Sequence, residues 1–212
     1  MKVIVSHTDL DGYVSSVNLE RYLNEKYPAT EDVVFYNVGY DELTKKLDII
    51  LRSTRKKPIH LAISDLNLKT EDYNKIITGV ELLKSFTFID HHPITDSEQY
   101  AELSRVLDAY NVEHRLIHSK NKKCASLLSY NLLAQQFVDD EKLHDLSELT
   151  DAWDRHDFKN LKMFYYGQLL NDYHEHIYRS VSGAGLSLDP NLRDWLIVKL
   201  TSALGISIQS VK

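Results

Sequence analysis

The sequence has a single cysteine, no long apolar run and fewer basic than acidic residues, and the first two features exclude whole classes of protein. A single cysteine, Cys124, among 212 residues excludes both an internal disulfide and a zinc site built from thiolates. No apolar run approaches the roughly 20 residues that a membrane-spanning helix needs. One lysine followed by three apolar residues precedes His7, which is not the pattern of a secretory signal peptide. We therefore expect a cytoplasmic protein that does not contact membranes.

The charge balance is acidic, with 31 aspartates and glutamates against 25 lysines and arginines and a net charge of −6. Proteins that bind long nucleic acids usually carry a basic stripe, so this balance argues against binding to long duplexes. A hydrophobic fraction of 43% is enough to fill a core. The length suits one large domain, or a domain with a smaller appendage.

Apolar, β-branched segments alternate with helix-like segments through the first half of the chain. The pattern predicts strands at 2–6, 33–38, 59–63, 86–89 and 112–117, and helices at 13–27, 41–52 and 70–83. This rhythm implies right-handed crossovers, and therefore an α/β fold with a mostly parallel central sheet and helices on both faces.

From residue 123 onward the pattern is helical. It predicts helices at 124–138, 141–153, 162–180 and 189–204. We expect an α/β domain over 1–158, followed by a short helical C-terminal extension over 159–212.

Polar motifs follow three of the predicted strands. His-Thr-Asp-Leu-Asp-Gly occupies 7–12, Ser-Asp-Leu-Asn occupies 64–67 and Asp-His-His occupies 90–92, while Asp-Ala-Trp at 151–153 lies in a predicted helix. Each motif alone is also typical of a solvated turn, a helix cap or an amphipathic helix. Because sites in parallel sheets gather at the carboxyl ends of the strands, all four in this order favour a shared site. Carboxylates and imidazoles at such an edge repel one another unless cations lie between them, which predicts a two-metal hydrolase centre.

The residue types indicate a role for each side chain. The predicted metal ligands are His7, Asp9, Asp11, Asp65, His91 and Asp151. Asp65 is suited to bridging two ions, and the histidines favour Mn²⁺ over Mg²⁺. Bridged ions of this kind activate a water that attacks phosphorus. We expect His92 to face the phosphate and Arg155 to contact the substrate. We expect Asp90 to orient neighbouring site residues without itself binding a metal.

These motifs resemble those of the DHH phosphoesterase superfamily, which is named for the triplet at 90–92. The form at 7–12 is most similar to the nanoRNase branch, whose members degrade very short RNA and often dephosphorylate 3′-phosphoadenosine 5′-phosphate. Lys-Cys-Ala-Ser at 123–126 is similar to a small-residue stretch in that family. The resemblance covers about residues 2–158.

The resemblance implies a set of ligands and an activity. It implies one Mn²⁺ on His7, Asp9 and Asp65, a second on Asp11, Asp65, His91 and Asp151, and His92 at the phosphate. Family members are Mn²⁺-preferring hydrolases of phosphoester or phosphoanhydride bonds. The sequence departs from the family in two ways. Many relatives have three residues between the first histidine and the first aspartate, where this chain has only Thr8. The family's glycine-rich, histidine-containing C-terminal loop has no counterpart in 159–212.

We therefore expect a phosphoesterase that needs two divalent ions, Mn²⁺ by preference with Mg²⁺ as the alternative. Its expected substrates are short oligonucleotides or small nucleotides such as 3′-phosphoadenosine 5′-phosphate and linear dinucleotides. A pyrophosphatase-like hydrolase on the same fold is one alternative. A catalytically inactive nucleotide-binding or scaffold protein is another, and the retained motif acids count against it. The choice of RNA or DNA, the cleavage polarity and the oligomeric state are left open.

Overall fold

The computed structural model describes residues 1–30, 33–53, 57–119, 123–137, 140–156, 159, 164, 167, 168 and 170–172. The described residues form five strands, which are β1 (Lys2–Ser6), β2 (Val33–Asn37), β3 (Ile59–Ser64), β4 (Leu83–Asp90) and β5 (Glu113–His118). Every neighbouring pair is parallel, and the strand order is β2-β1-β3-β4-β5. The predicted α/β class with a parallel central sheet is confirmed.

Six α-helices and one 3-10 turn connect and cover the strands in the described part of the chain. They are α1 (Leu10–Lys26), α2 (Leu43–Ser53), α3 (Thr70–Thr78), the 3-10 turn (Val80–Leu82), α4 (Ser97–Ala109), α5 (Ala125–Gln136) and α6 (Glu141–Asp154). The sequence pattern did not indicate α4. It also extended α3 too far, because that helix ends before Gly79 and the chain is already in β4 at Leu83.

Both faces of the sheet are buried. On β1, Val3 and Val5 belong to the core under α2, α3 and α4, whereas Ile4 belongs to the core under α1 and α5. A strand covered on both faces has no polar side, which explains its continuous apolar composition. β1 and β3 are buried along their whole length, so their carboxyl ends are fixed firmly.

A third apolar cluster joins α6 to the start of α1. It contains Leu10, Tyr13, Val14, Leu146, Leu149 and Leu170. Beside it, the side-chain oxygen of Asn171 accepts a hydrogen bond from the backbone amide of Leu10 at 3.1 Å. A Cβ on Gly167 would lie 2.3 Å from the Cβ of Trp153, so the backbone there approaches α6 closely. The described residues Gly167, Leu170 and Asn171 therefore pack against α1 and α6.

The described residues among 164–172 have helical backbone, in agreement with the helix predicted at 162–180. The rest of that helix and the one predicted at 189–204 lie outside the described residues. The domain boundary near 158 stays a prediction. Within the described ranges, no helix is both long enough and apolar enough to span a membrane.

The strand order places a switch point between β1 and β3, since the chain leaves these neighbours toward opposite edges of the sheet. Open α/β sheets form their binding crevices at the carboxyl ends of strands on either side of such a point. The motif at 7–12 follows β1, and the motifs at 64–67 and 90–92 begin at the last residues of β3 and of β4, the next strand along.

Candidate metal centre

The turn from β1 into α1 brings His7 and Asp9 together. The Asp9 carboxylate caps α1 by accepting a hydrogen bond from the Gly12 amide at 3.0 Å. A Cβ on Gly12 would lie 2.4 Å from the carbonyl oxygen of His7, so the helix starts this close to the strand only with glycine there. As a result, His7 Nδ1 lies 2.9 Å from Asp9 Oδ2.

Asp11 lies fully buried in the first turn of α1 and also caps α5. Its two carboxylate oxygens accept hydrogen bonds from the backbone amides of Ala125 at 2.8 Å and Ser126 at 2.7 Å. These amides have no partner inside their own helix, and a carboxylate is a favourable cap for them. Asp11 Oδ2 also lies 3.6 Å from His91 Nε2, so Asp11 links α1, α5 and the triplet at 90–92.

Asp65 lies between the histidines of two motifs. Its Oδ1 is 3.2 Å from His91 Nε2, and its Oδ2 is 3.9 Å from His7 Nδ1. The Oδ2 atom is buried and accepts no hydrogen bond among the described residues. The backbone of Asp65 has a φ of 56°, in the left-handed region that few residues other than glycine, asparagine and aspartate adopt. Asp65 thus offers a carboxylate oxygen toward each histidine.

Asp90 shapes the turn after β4. Its Oδ1 accepts hydrogen bonds from the backbone amides of His91 at 2.9 Å and His92 at 3.3 Å, and from the ring Nδ1 of His92 at 2.8 Å. It fixes the orientation of the His92 ring, which is the contact that its predicted orienting role requires.

On α6, Asp154 rather than Asp151 lies beside the triplet. Asp154 Oδ2 is 3.6 Å from His91 Nδ1. Asp151 instead accepts a hydrogen bond from the Cys124 amide at 2.7 Å, and its other oxygen pairs with Arg155, whose Nε lies 2.8 Å away. Among the described residues, the groups of ligand atoms that contain the histidines do not include Asp151, and Arg155 lies against Asp151. Their roles as metal ligand and substrate contact stay predictions.

Tyr40 is a further member of the site that the sequence analysis missed. It follows β2 at the same edge of the sheet, its ring stacks on His7 with centroids 4.3 Å apart, and its hydroxyl lies 3.1 Å from His92 Nε2. The one available signal was its position just after a predicted strand, because no motif surrounds it.

Three acids in the site have raised pKa values. Burial, and then the charges of Asp11 and Asp9, raise the pKa of Asp65 well above its usual range. Burial and the charge of Asp9 likewise raise the pKa of Asp11. Burial with the charges of Asp11 and Asp9 raises the pKa of Asp154 to about 7. The ionised carboxylates repel one another, and a bound cation would relieve that repulsion.

The pKa values of Asp9, His91 and His92 are shifted by burial and by the hydrogen bonds of these groups. Burial alone would raise the pKa of Asp9, but the hydrogen bond and charge of His7 and the Gly12 amide outweigh it and lower this pKa to about 2. Burial lowers the pKa of His91, which favours the neutral imidazole that binds metals. The hydrogen bond to Asp90 raises the pKa of His92.

At this edge of the sheet, the described residues form three groups of potential ligand atoms, each with its atoms within 4.8 Å of one another. They are Asp65, Asp90, His91 and His92; His7, Asp9 and Asp65; and Asp11, His91 and Asp154. Asp65 and His91 are shared between groups, so the three are contiguous. These buried and half-buried aspartates and histidines fit a metal ion, since the donor set is hard oxygen with imidazole nitrogen and one buried Asp65 oxygen has no hydrogen-bond partner among the described residues.

Comparisons with known proteins bear on the fold alone. No family model matches the sequence, and no curated protein sequence matches it. The structure is similar to that of an uncharacterized protein from Helicobacter pylori G27, with a TM-score of 0.56 and 19% sequence identity. The match covers 82% of this chain and 49% of that protein, so the chain spans about half the length of this structural relative. At this identity the similarity shows a shared fold.

Proposed function

We propose that this protein is a metal-dependent phosphoesterase of the DHH type that hydrolyses short oligonucleotides or small nucleotides, such as 3′-phosphoadenosine 5′-phosphate or linear dinucleotides. The observation that carries the proposal is the position of Asp65. It lies between His7 and His91 with one carboxylate oxygen toward each, and one of these oxygens is buried without a partner among the described residues.

That arrangement supports a centre with two adjacent metal positions. His7, Asp9 and Asp65 would hold one divalent ion, and Asp11, His91 and Asp154 would hold the second together with Asp65. Mixed carboxylate and imidazole ligands suit Mn²⁺, with Mg²⁺ as the alternative. When bound, such a pair supplies Lewis acidity and an activated water.

The protein's own groups would position the phosphate and the leaving group. Asp90 holds His92 through Nδ1, which leaves Nε2 directed at the site. From there His92 can stabilise the phosphoryl charge or protonate the leaving oxygen. The net charge of −6 favours small substrates over long nucleic acids, whose binding relies on many phosphate contacts.

The test is hydrolysis of a substrate panel in Mn²⁺ by the wild type and by the Asp65→Asn variant. The panel contains 3′-phosphoadenosine 5′-phosphate, a 5′-phosphorylated dinucleotide, short and long RNA and DNA, and pyrophosphate. Cleavage of the short species that disappears in the variant is the expected result. Release of phosphate from pyrophosphate alone would favour the pyrophosphatase alternative, and binding without turnover would favour an inactive nucleotide-binding protein.

A further inference from the structure

We propose that Tyr40 is a phosphate-contacting residue, whose hydroxyl donates a hydrogen bond to a phosphoryl oxygen beside His92. The inference rests on the proposed phosphoesterase function and adds a neutral donor to a site otherwise built from acids and histidines.

Two ring contacts fix where the Tyr40 hydroxyl lies. The ring stacks on His7 with an interplanar angle of 26°, and it meets His92 edge-on at 80° with centroids 5.6 Å apart. Tyr40 is also half-buried, so its side chain is held at the carboxyl edge of the sheet rather than in solvent. The loop after β2 thus carries a side chain into the same edge as the loops after β1, β3 and β4.

The Tyr40 hydroxyl and His92 Nε2 lie close enough together to contact the same phosphoryl oxygen. Asp90 accepts a hydrogen bond from His92 Nδ1, so Nε2 is the ring nitrogen that faces the Tyr40 hydroxyl. The Tyr40 hydroxyl lies 3.1 Å from that Nε2. Two polar atoms at this separation can both lie about 2.8 Å from a single oxygen. A phosphoryl oxygen that reaches His92 is therefore within reach of Tyr40.

The chemistry of the phenol suits this contact. A phenol keeps its proton at neutral pH and is therefore available as a hydrogen-bond donor. A hydroxyl donor aimed at developing phosphoryl charge stabilises the transition state without competing for the metal ions. On binding, the phosphoryl oxygen would replace His92 Nε2 as the hydrogen-bond partner of the Tyr40 hydroxyl.

The experiment compares the wild type with Tyr40→Phe, which keeps the ring on His7 and removes the hydroxyl. The matched control is Tyr110→Phe, since Tyr110 is 58% exposed at the end of α4. Mn²⁺ binding and inorganic phosphate binding to the Mn²⁺-loaded protein are measured by calorimetry, and kcat and KM are measured on a 5′-phosphorylated dinucleotide. For Tyr40→Phe we expect unchanged Mn²⁺ affinity, kcat lower by about 100-fold and weaker phosphate binding, with no change in the control.

Each contrary result has a distinct meaning. Equal kcat and equal phosphate affinity in wild type and Tyr40→Phe would overturn the inference. A loss of activity that a matching loss of Mn²⁺ affinity accounts for would also overturn it, because Tyr40 would then act only by packing on His7. If the wild type shows no turnover but binds phosphate in a Tyr40-dependent way, the phosphoesterase function fails while the phosphate contact stands. If it neither turns over nor binds phosphate, both fail.

Discussion

At the residue scale, Asp65 combines three features that oppose folding stability. It adopts a left-handed backbone conformation, its carboxylate is buried, and the nearest charges are those of other acids. Strained or self-repelling residues persist where the surrounding structure fixes them, and they cluster at functional sites. The metal-free protein is therefore less stable than it would be with an uncharged side chain at this position.

Replacement of Asp65 by asparagine should separate stability from metal binding. Asparagine has the same shape, tolerates the left-handed conformation and carries no charge, so we expect the metal-free variant to be more stable by about 1–2 kcal/mol. Mn²⁺ at 100 times its Kd should stabilise the wild type by about 2.7 kcal/mol and the variant much less. Thermal unfolding with and without Mn²⁺ measures both effects. Asp41→Asn, at an exposed acid, is the control, and equal stabilisation of wild type and Asp65→Asn by Mn²⁺ would contradict the assignment.

The choice between Asp154 and Asp151 as a metal ligand is also a residue-scale question. Asp154 lies by His91, whereas Asp151 is bound to Arg155 and the Cys124 amide. We therefore expect Asp154→Asn to weaken Mn²⁺ binding more than tenfold and Asp151→Asn to act mainly on stability. Calorimetric titration of both variants checks this, and the reverse ranking would favour Asp151 as the ligand.

His60 on β3 provides a pH-dependent contribution to stability. Its buried ring stacks on Tyr27 and lies 3.0 Å through Nδ1 from the Ser85 hydroxyl. Burial, then the charges of Lys84, the N-terminus and Lys2, lower the pKa of His60 to about 4, so the folded state disfavours the protonated ring. The unfolded chain binds this proton near pH 6.5, so stability falls as the pH drops from about 6.5 to about 4.

The expected size of this effect is about 2 kcal/mol, after allowance for partial solvation of the ring. His60→Gln removes the titration and keeps a polar side chain. Urea unfolding of wild type and variant at several pH values between 7 and 4 measures the difference. Parallel stability curves for the two proteins would show that His60 is not responsible.

At the element scale, the start of α1 depends on Gly12. A Cβ there would meet the backbone of His7 at 2.4 Å, and backbone atoms cannot rotate away as a side chain can. We expect Gly12→Ala to destabilise the fold by about 1–3 kcal/mol and to weaken Mn²⁺ binding, because His7 and Asp9 must move. Gly39→Ala is the matched control, since its Cβ would meet only Glu42 Oε2 at 3.7 Å. Urea unfolding and Mn²⁺ titration of both variants decide the point; equal behaviour would contradict the close approach.

The sequence predicted most elements because their patterns are local. Strands buried on both faces appear as short β-branched runs, and their ends locate the motifs at 7–12, 64–67 and 90–92. The failures have physical reasons as well. β4 begins with Leu83, Lys84 and Ser85, whose polar members concealed the start of the strand, and only two residues of α4, Leu103 and Leu107, are fully buried hydrophobics.

The site was less predictable than the fold because the sequence does not show which of two nearby side chains enters the site. Asp151 and Asp154 lie three residues apart and so on one side of α6, where spacing cannot select between them. Tyr40 carries no motif, and its role depends on contacts with His7 and His92 that only the folded chain brings together.

At the scale of the whole molecule, the candidate site joins segments that are distant in the chain. Loops after β1, β3 and β4 supply most of the groups, and α6 supplies Asp154. Ligand binding raises the cost of separating the elements that hold the ligand.

Hydrogen exchange can test this long-range link. We expect Mn²⁺ to slow amide exchange at 7–12, at 90–92 and along α6, and to leave the exposed end of α3 unchanged. In Asp154→Asn the protection of α6 should disappear while that of 7–12 remains, because His7, Asp9 and Asp65 would still bind one ion. Retained protection of α6 in that variant would show that Asp154 does not connect it to the metal.

The hydrogen bond from the Leu10 amide to Asn171 limits how far the protein can be truncated from its C-terminal side. A fragment that stops at residue 158 would keep every motif and lose Asn171, Leu170 and Gly167, which pack on α1 and α6. Leu10 lies between Asp9 and Asp11, so this fragment would lack a hydrogen bond that holds the backbone between two candidate ligands. The smallest fragment suitable for expression and crystallisation therefore extends at least to residue 172.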